Sequence, residues 1–215
     1  MTAATRIEVS GTDEQTAWVD LPSRLAPLHD DVIGAVAFLL QGLADTDGSG
    51  AARTIAKLLA HQLEAGAASE SVRVHVTRGN SIVTSAEAIV GVRLPHEATV
   101  FGEVDIVDER EDAGVYLLRI APGRFIPTHE HRRMDEWEYA LSGDLALQSH
   151  PIPNGDAVRW PTRFPHRWDN RGHAEAVVLC IDRPRFDADD EILIEPSRLE
   201  PCPTRFRPHP LRSVH

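Results

Sequence analysis

The stretch "GRFIPTHEHRRMDEWEYALSG", residues 123–143, packs two histidines, four acids and three aromatics between two glycines. His129 and His131 are two positions apart, so on a β-strand both imidazoles leave the same face. A short turn, "RRMD", follows, and Glu136 comes from the next strand, with Gly123 and Gly143 marking the ends of the hairpin. Two neutral imidazoles and a carboxylate on a shared interior face suit a divalent transition metal. The competing reading is a solvated polar hairpin, since His, Glu and Arg are usually exposed.

The rest of the chain tells what body carries this hairpin. After Ser71 the apolar pattern has period two: "VRVHV" at 72–76 alternates, and apolar segments recur at 88–94, 99–107, 115–120, 136–141 and 174–181 between Gly, Pro, Asn or Asp. Many short strands without strand-helix alternation predict a sandwich or barrel rather than a parallel sheet. Residues 1 to about 28 show no periodicity and are expected to form an irregular arm. Val32, Val36, Leu39, Leu40 and Leu43 then share one helical face with Asp30 or Asp31 as N-cap, and Ile55, Leu58, Leu59 and Leu63 mark a second helix. Between them, "DTDGSG" at 45–50 sets Asp45, Asp47 and Ser49 on calcium-loop positions, but the place that must supply a bidentate carboxylate is Ala56. A helix-to-helix turn is the better account. The expected organisation is an arm and helical segment over 1–70, a β-barrel over 71–190 and a tail over 191–215. The last residues, "EPSRLEPCPTRFRPHPLRSVH", hold five prolines and four arginines, so the tail is either disordered or laid extended across a barrel.

Composition excludes several classes of function. The formal net charge of −11 argues against a nucleic-acid or anionic-membrane partner, both of which bind basic patches. The opening "MTAATRIEVS" has no apolar core, and the longest apolar run, "AVAFLL" at 35–40, is too short to cross a bilayer. A soluble, cytoplasmic protein is expected. Cys180 and Cys202 form neither a disulfide framework nor a CxxC pair, and read as a strand cysteine and a tail cysteine.

A second element decides between metal site and polar hairpin. "GDAVRWPTRFPHRWDN", residues 155–170, holds Gly155, Pro161, His166 and Asn170. The order Gly, five residues, His, one residue, His, four residues, Glu, six residues, Gly in the opening stretch resembles the first motif of the cupin superfamily. The second element resembles the second cupin motif, and the 11 residues Asp144 to Asn154 fit the intermotif segment of a small cupin. One departure is plain: where the family usually has glycine two residues after the proline, Arg163 stands. The resemblance covers about residues 100 to 186. It implies a mainly β fold, the cupin double-stranded β-helix or jelly-roll barrel, with an N-terminal helical segment. It also implies that His129, His131, Glu136 and His166 hold one divalent transition metal, with Fe2+ favoured over Ni2+, Mn2+, Co2+ or Zn2+.

The resemblance further implies an enzyme with open metal positions for a small-molecule substrate, dioxygen or water, with a mononuclear metal oxygenase of dioxygenase type as the leading reading. The alternatives are a non-oxidative metal-dependent lyase or isomerase, and a non-enzymatic small-molecule-binding cupin. Pairing of outer sheets into a homodimer is implied as well. Glu138 lies two residues after Glu136 on the same inward face, so it is either a general acid or base with a raised pKa or a group that orients a ligand. Arg163 is a candidate clamp for a substrate carboxylate, against ordinary exposure. Trp137 and Tyr139 are out of phase with Glu136 and expected outside, against helices or a second subunit. Trp160 and Trp168 are expected as wall or rim residues, against a substrate-stacking platform.

Overall fold

The structure, a computed structural model, describes residues 4–11, 15–22, 28–44, 49–63, 70–195 and 204–208. The chain forms two compact units, Met1–Leu94 with Pro208–His215, and Pro95–Arg207.

The first unit opens with strands where an irregular arm was expected. β1 (Ala4–Ser10) and β2 (Gln15–Pro22) form a hairpin, followed by α1 (Asp30–Gly42), α2 (Ser49–Gln62) and a second hairpin of β3 (Ser71–Arg78) and β4 (Ser81–Ile89). The four strands make one antiparallel sheet in the order β1-β2-β3-β4. The strands over 71–89 therefore belong to this sheet and not to the barrel. Gln15, Ala17, Val19 and Leu21 are buried while their alternate neighbours are partly exposed, the pattern of a sheet covered on one face. Phe38, Leu39 and Leu40 of α1 and Ile55, Leu58 and Leu59 of α2 are buried. The N-cap of α1 is His29, without a side-chain cap, so Asp30 and Asp31 stand in the first turn instead, where their charge suits the helix dipole. Residues 45–48, the rejected calcium loop, lie outside the described residues, as does Cys202. Among the described residues no helix is long and apolar enough to cross a membrane.

The second unit is a barrel of antiparallel strands, the architecture the resemblance implies. One sheet has six strands in the order β12-β9-β14-β7-β6-β5: β5 (His96–Ala98), β6 (Gly102–Glu109), β7 (Gly114–Ile120), β9 (Asp135–Ser142), β12 (Ala157–Trp160) and β14 (Ala176–Arg183). The facing strands are β10 (Leu145–Leu147), β11 (His150–Ile152) and β13 (Trp168–Asn170), together with β8 (His129–His131) and β15 (Glu191–Leu193). Bridges Phe125↔Asp169 and His129↔His166 join the last two groups. Ile120, Ala140, Leu145, Val158, Trp168 and Val178 fill the core. β14, between β9 and β7, reads "AVVLCIDR" and is buried at nearly every position, which explains its unbroken apolar run.

The start of the expected tail is structured. β15 pairs antiparallel with β8, and Phe206 exchanges backbone hydrogen bonds with Ala157 while Arg207 Nε donates to Asp156 at 2.6 Å. Of the tail, the described residues 191–195 and 204–207 thus lie against strands of the same chain. Trp137, expected against helices or a second subunit, meets Phe206 edge-on and lies under Arg159, and Tyr139 is buried within the chain.

Gly143 shows why the first motif ends in glycine. Its φ is +101°, and a Cβ there would sit 2.4 Å from the Cβ of Ala176. Gly143→Ala is expected to lower unfolding free energy by about 2 kcal/mol or more, through backbone strain and overlap together. Urea denaturation checks this; an unchanged midpoint would contradict it.

Candidate metal centre

The metal centre begins with how β8 is held. His129 and His166 exchange backbone hydrogen bonds at 3.2 and 2.9 Å, and Arg163 N–H donates to His131 O at 2.6 Å. On the other edge, Ile194 N–H donates to Thr128 O at 2.8 Å and Arg132 N–H to Asp190 O. The three-residue strand is thus clamped from both sides. Asp190 also gathers the "RRMD" turn: its carboxylate accepts from the Arg133 and Met134 amides and from Arg133 Nε at 3.0–3.1 Å. Asn170 closes the second motif by donating to Ile120 O and Ala174 O, each at 2.8 Å, and accepting from Gly172 N–H.

These supports bring His129, His131, Glu136 and His166 together, with one donor atom from each lying within 4.8 Å of the others. All four are buried. His129 Nδ1–H donates to Pro127 O at 2.8 Å and His166 Nδ1–H to Phe164 O at 3.0 Å. A carbonyl only accepts, so in its neutral form each ring has its lone pair on Nε2, the tautomer a metal needs. Glu136 Oε2 is 2.8 Å from His166 Nε2 and 3.5 Å from His131 Nε2. Yet Glu136 Oε2 and His166 Nε2 make no aligned hydrogen bond, although both are buried. Buried polar atoms without partners are costly, and a cation among them would satisfy both. Three nitrogens and one oxygen suit a divalent transition ion.

The electrostatics of the metal-free site follow from burial and proximity. Burial pushes His129 down to about 3, with repulsion from His166 adding to it, so this ring is neutral. Burial also lowers His131, against the pull of Glu136. Burial works against the His166 cation too, but the Glu136 carboxylate outweighs it and raises His166 to about 9. Glu136 itself would be raised by burial, but His166 and the other imidazoles hold it well below the usual carboxylate range.

Glu138 faces inward as its parity requires, 1% exposed, and accepts hydrogen bonds from the indole N–H groups of both Trp160 and Trp168 on one oxygen. Burial first, and the charge of Glu136 second, push it up to about 8. The two tryptophans are buried wall residues, with Trp160 stacked on His166 at 4.6 Å between ring centroids. Arg163 is exposed and does not line the cavity, so it is no carboxylate clamp there. Its φ of +64° is the left-handed backbone that glycine adopts most readily, at the place where the resembled motif has glycine.

Two functional neighbours escaped the sequence reading. Cys180 Sγ lies 3.2 Å from Glu136 Oε1 and 2.9 Å from Asp182 Oδ1, and burial raises both Cys180 and Asp182 well above their ordinary values. Both stand on β14 opposite Glu138 and Glu136 in strand register. The inward parity of β14 was the available signal. Above this floor lies a cavity of about 400 Å³, walled by Phe101, Val104, Ile106, Leu118 and Ile126 and reaching His129, His131, Glu136 and Glu138.

Residues 116–182, the span that holds both motifs, match the family model described as Cupin domain, in agreement with the resemblance of the two motifs. An uncharacterized protein of Methanocaldococcus jannaschii is 27% identical over 71 residues, covering 31% of this chain and 57% of the relative. The chain thus spans little more than half the length of this curated relative. Among solved structures, the fold is similar to a cupin-superfamily sugar phosphate isomerase from Silicibacter pomeroyi (20% identity, 49% of this chain, 90% of that one, TM-score 0.40). It is similar also to an oxalate decarboxylase of B. subtilis (19% identity, 47% of this chain, 30% of that one, TM-score 0.40).

Metal binding at His166 must displace the proton that the raised imidazole carries. Below about pH 9 the metal-free site carries that proton, so affinity for a divalent ion is expected to rise about tenfold per pH unit between 7 and 9. In the metal-free chain the sign is reversed. The raised His166 stabilises the fold fully below its ordinary 6.5, and the contribution is lost as pH climbs through about 9. Calorimetry of Zn2+ binding at pH 7, in buffers of differing ionisation heat, should show about one proton released per ion. Release of none would contradict the pairing. Arg163→Gly should leave metal content unchanged; loss of metal would return a binding role to that side chain.

Proposed function

We propose that the chain is a metal-dependent cupin enzyme acting on a small organic molecule, with a mononuclear iron(II) oxygenase of dioxygenase type as its chemistry. The observation that carries this reading is the set of four buried donors, three of which, His129, His131 and Glu136, line a cavity of about 400 Å³ with an otherwise largely apolar wall. Four protein ligands leave an octahedral ion room for exogenous ones, unlike a closed structural site. A bound ion would supply redox and Lewis-acid chemistry at the floor.

The chain's own residues do the rest. His129, His131, Glu136 and His166 are the proposed ligands, with two rings oriented through their Nδ1–H bonds to carbonyls. The wall of Val104, Ile106 and Leu118 excludes water and orients an apolar substrate portion. Glu138, held by two indoles beside the ligand set, is the group in position to give or take a proton.

Glu138 also favours a second reading, a non-oxidative lyase or isomerase in which it moves the proton. Oxygen uptake by ferrous-reconstituted protein across a substrate panel separates the two: substrate-dependent consumption is expected, and turnover without it would move the assignment to the second reading. Glu138→Gln is expected to bind metal normally and to lose about a hundredfold in turnover. Unchanged turnover would remove the proton-transfer role, and parallel loss of metal would make Glu138 a ligand-orienting group instead. The homodimer is carried forward as a proposal; light scattering should give twice the chain mass of 23.7 kDa. The mass of a single chain would overturn it.

A further inference from the structure

The cavity is lined by six acids, Glu97, Glu109, Glu136, Glu138, Asp182 and Glu191, and among the described lining residues by no arginine or lysine. Exposure separates them into two groups. Glu97, Glu109 and Glu191 are exposed, Glu97 toward the β5 end of the cavity and Glu109 and Glu191 toward Phe186, while Glu136, Glu138 and Asp182 are buried. Nearby arginines are engaged elsewhere: Arg119 pairs with Asp105 at 3.3 Å and Glu175 at 3.1 Å, and Arg133 with Asp187 at 2.7 Å and Asp190 at 3.0 Å. Sites that take carboxylates or phosphates place Arg or Lys against them, because an anion leaving water needs charged donors. Three imidazoles and one carboxylate leave a divalent ion with a single positive charge, enough for one anionic oxygen. An anion would still meet the exposed lining carboxylates, in the field of a chain with net charge −11, and a second negative group would find no cation.

Resting on the metal-enzyme reading above, we propose that this cavity selects a small molecule carrying an ammonium group on an apolar body, and turns away carboxylates and phosphates. The ammonium is drawn to the exposed lining carboxylates, Glu109 (which also accepts from the Tyr116 hydroxyl) and Glu191 on the side of Phe186, or Glu97 at the β5 end. The apolar body lies along Val104, Ile106, Leu118 and Ile126, and its far end reaches the ligand set.

The test titrates three probes of one skeleton, phenethylamine, phenethyl alcohol and phenylacetate, into the full metal-loaded chain by calorimetry. Phenethylamine should bind at least about tenfold more tightly than phenylacetate, with the alcohol between them. The variant Glu97→Gln, Glu109→Gln, Glu191→Gln, its folding verified by circular dichroism, should bring the amine close to the alcohol. Equal or tighter binding of phenylacetate, no saturable binding of phenethylamine at millimolar concentration, or an amine preference that survives the triple substitution would each overturn the proposal. Metal content of the same samples is measured independently. A chain that holds no metal but keeps the amine preference would sink the enzyme reading alone, whereas a metal-loaded chain without the preference would sink the selectivity alone.

Discussion

Three carboxyl groups, Glu136, Glu138 and Asp182, are buried together at the floor of one barrel, and each needs a different answer to the loss of water. An unpaired buried charge costs several kcal/mol. Glu136 is held ionised by the imidazoles around it, foremost His166 at 2.8 Å. Glu138 is pushed toward its protonated form by burial and by Glu136, while two indole N–H groups satisfy one of its oxygens. Asp182 is also driven up, by burial and by Glu136, and accepts from the Cys180 thiol. A divalent cation among the four ligands would relieve the floor as a whole, which is why the metal site and the architecture are hard to separate.

The architecture serves that floor through short strands rather than long ones. β8 has three residues, too few to hold register alone, and it is locked by β15 on one edge and by the His166 segment on the other. The long strands β9 and β14 fix the depth of Glu136 and Glu138 opposite Asp182 and Cys180. The candidate ligands therefore sit on or beside paired strands, while the exposed acids of the cavity come from β5, β6 and β15.

Much of the site was legible in the sequence because its chemistry is local. His129, His131 and Glu136 lie within eight residues, and a period of two places Glu138 inward beside them. His166 needed the second motif, since nothing within the first says which distant strand returns to the site. The indole donors to Glu138 and the thiol beside Glu136 were not read, because they depend on strand register across the sheet, which local pattern leaves open. Arg163 is exposed, one of the two readings the sequence left open, and its left-handed φ was signalled only by its standing where the motif has glycine. The N-terminal hairpin was missed. "ATRIEVS" and "QTAWVDLP" alternate only over seven and eight residues, and their polar outer face, with the Arg6–Asp20 ion pair, looks like an unstructured polar arm.

The central claim is that one divalent ion is held by His129, His131, Glu136 and His166. Elemental analysis of protein purified without a histidine tag tests it most directly, with the variant His129→Ala, His131→Ala, His166→Ala measured in parallel after its fold is verified. The account predicts about one transition-metal ion per chain, since among the described residues these four buried donors converge within 4.8 Å, and nearly none in the variant. Full metal content in the triple variant would contradict it.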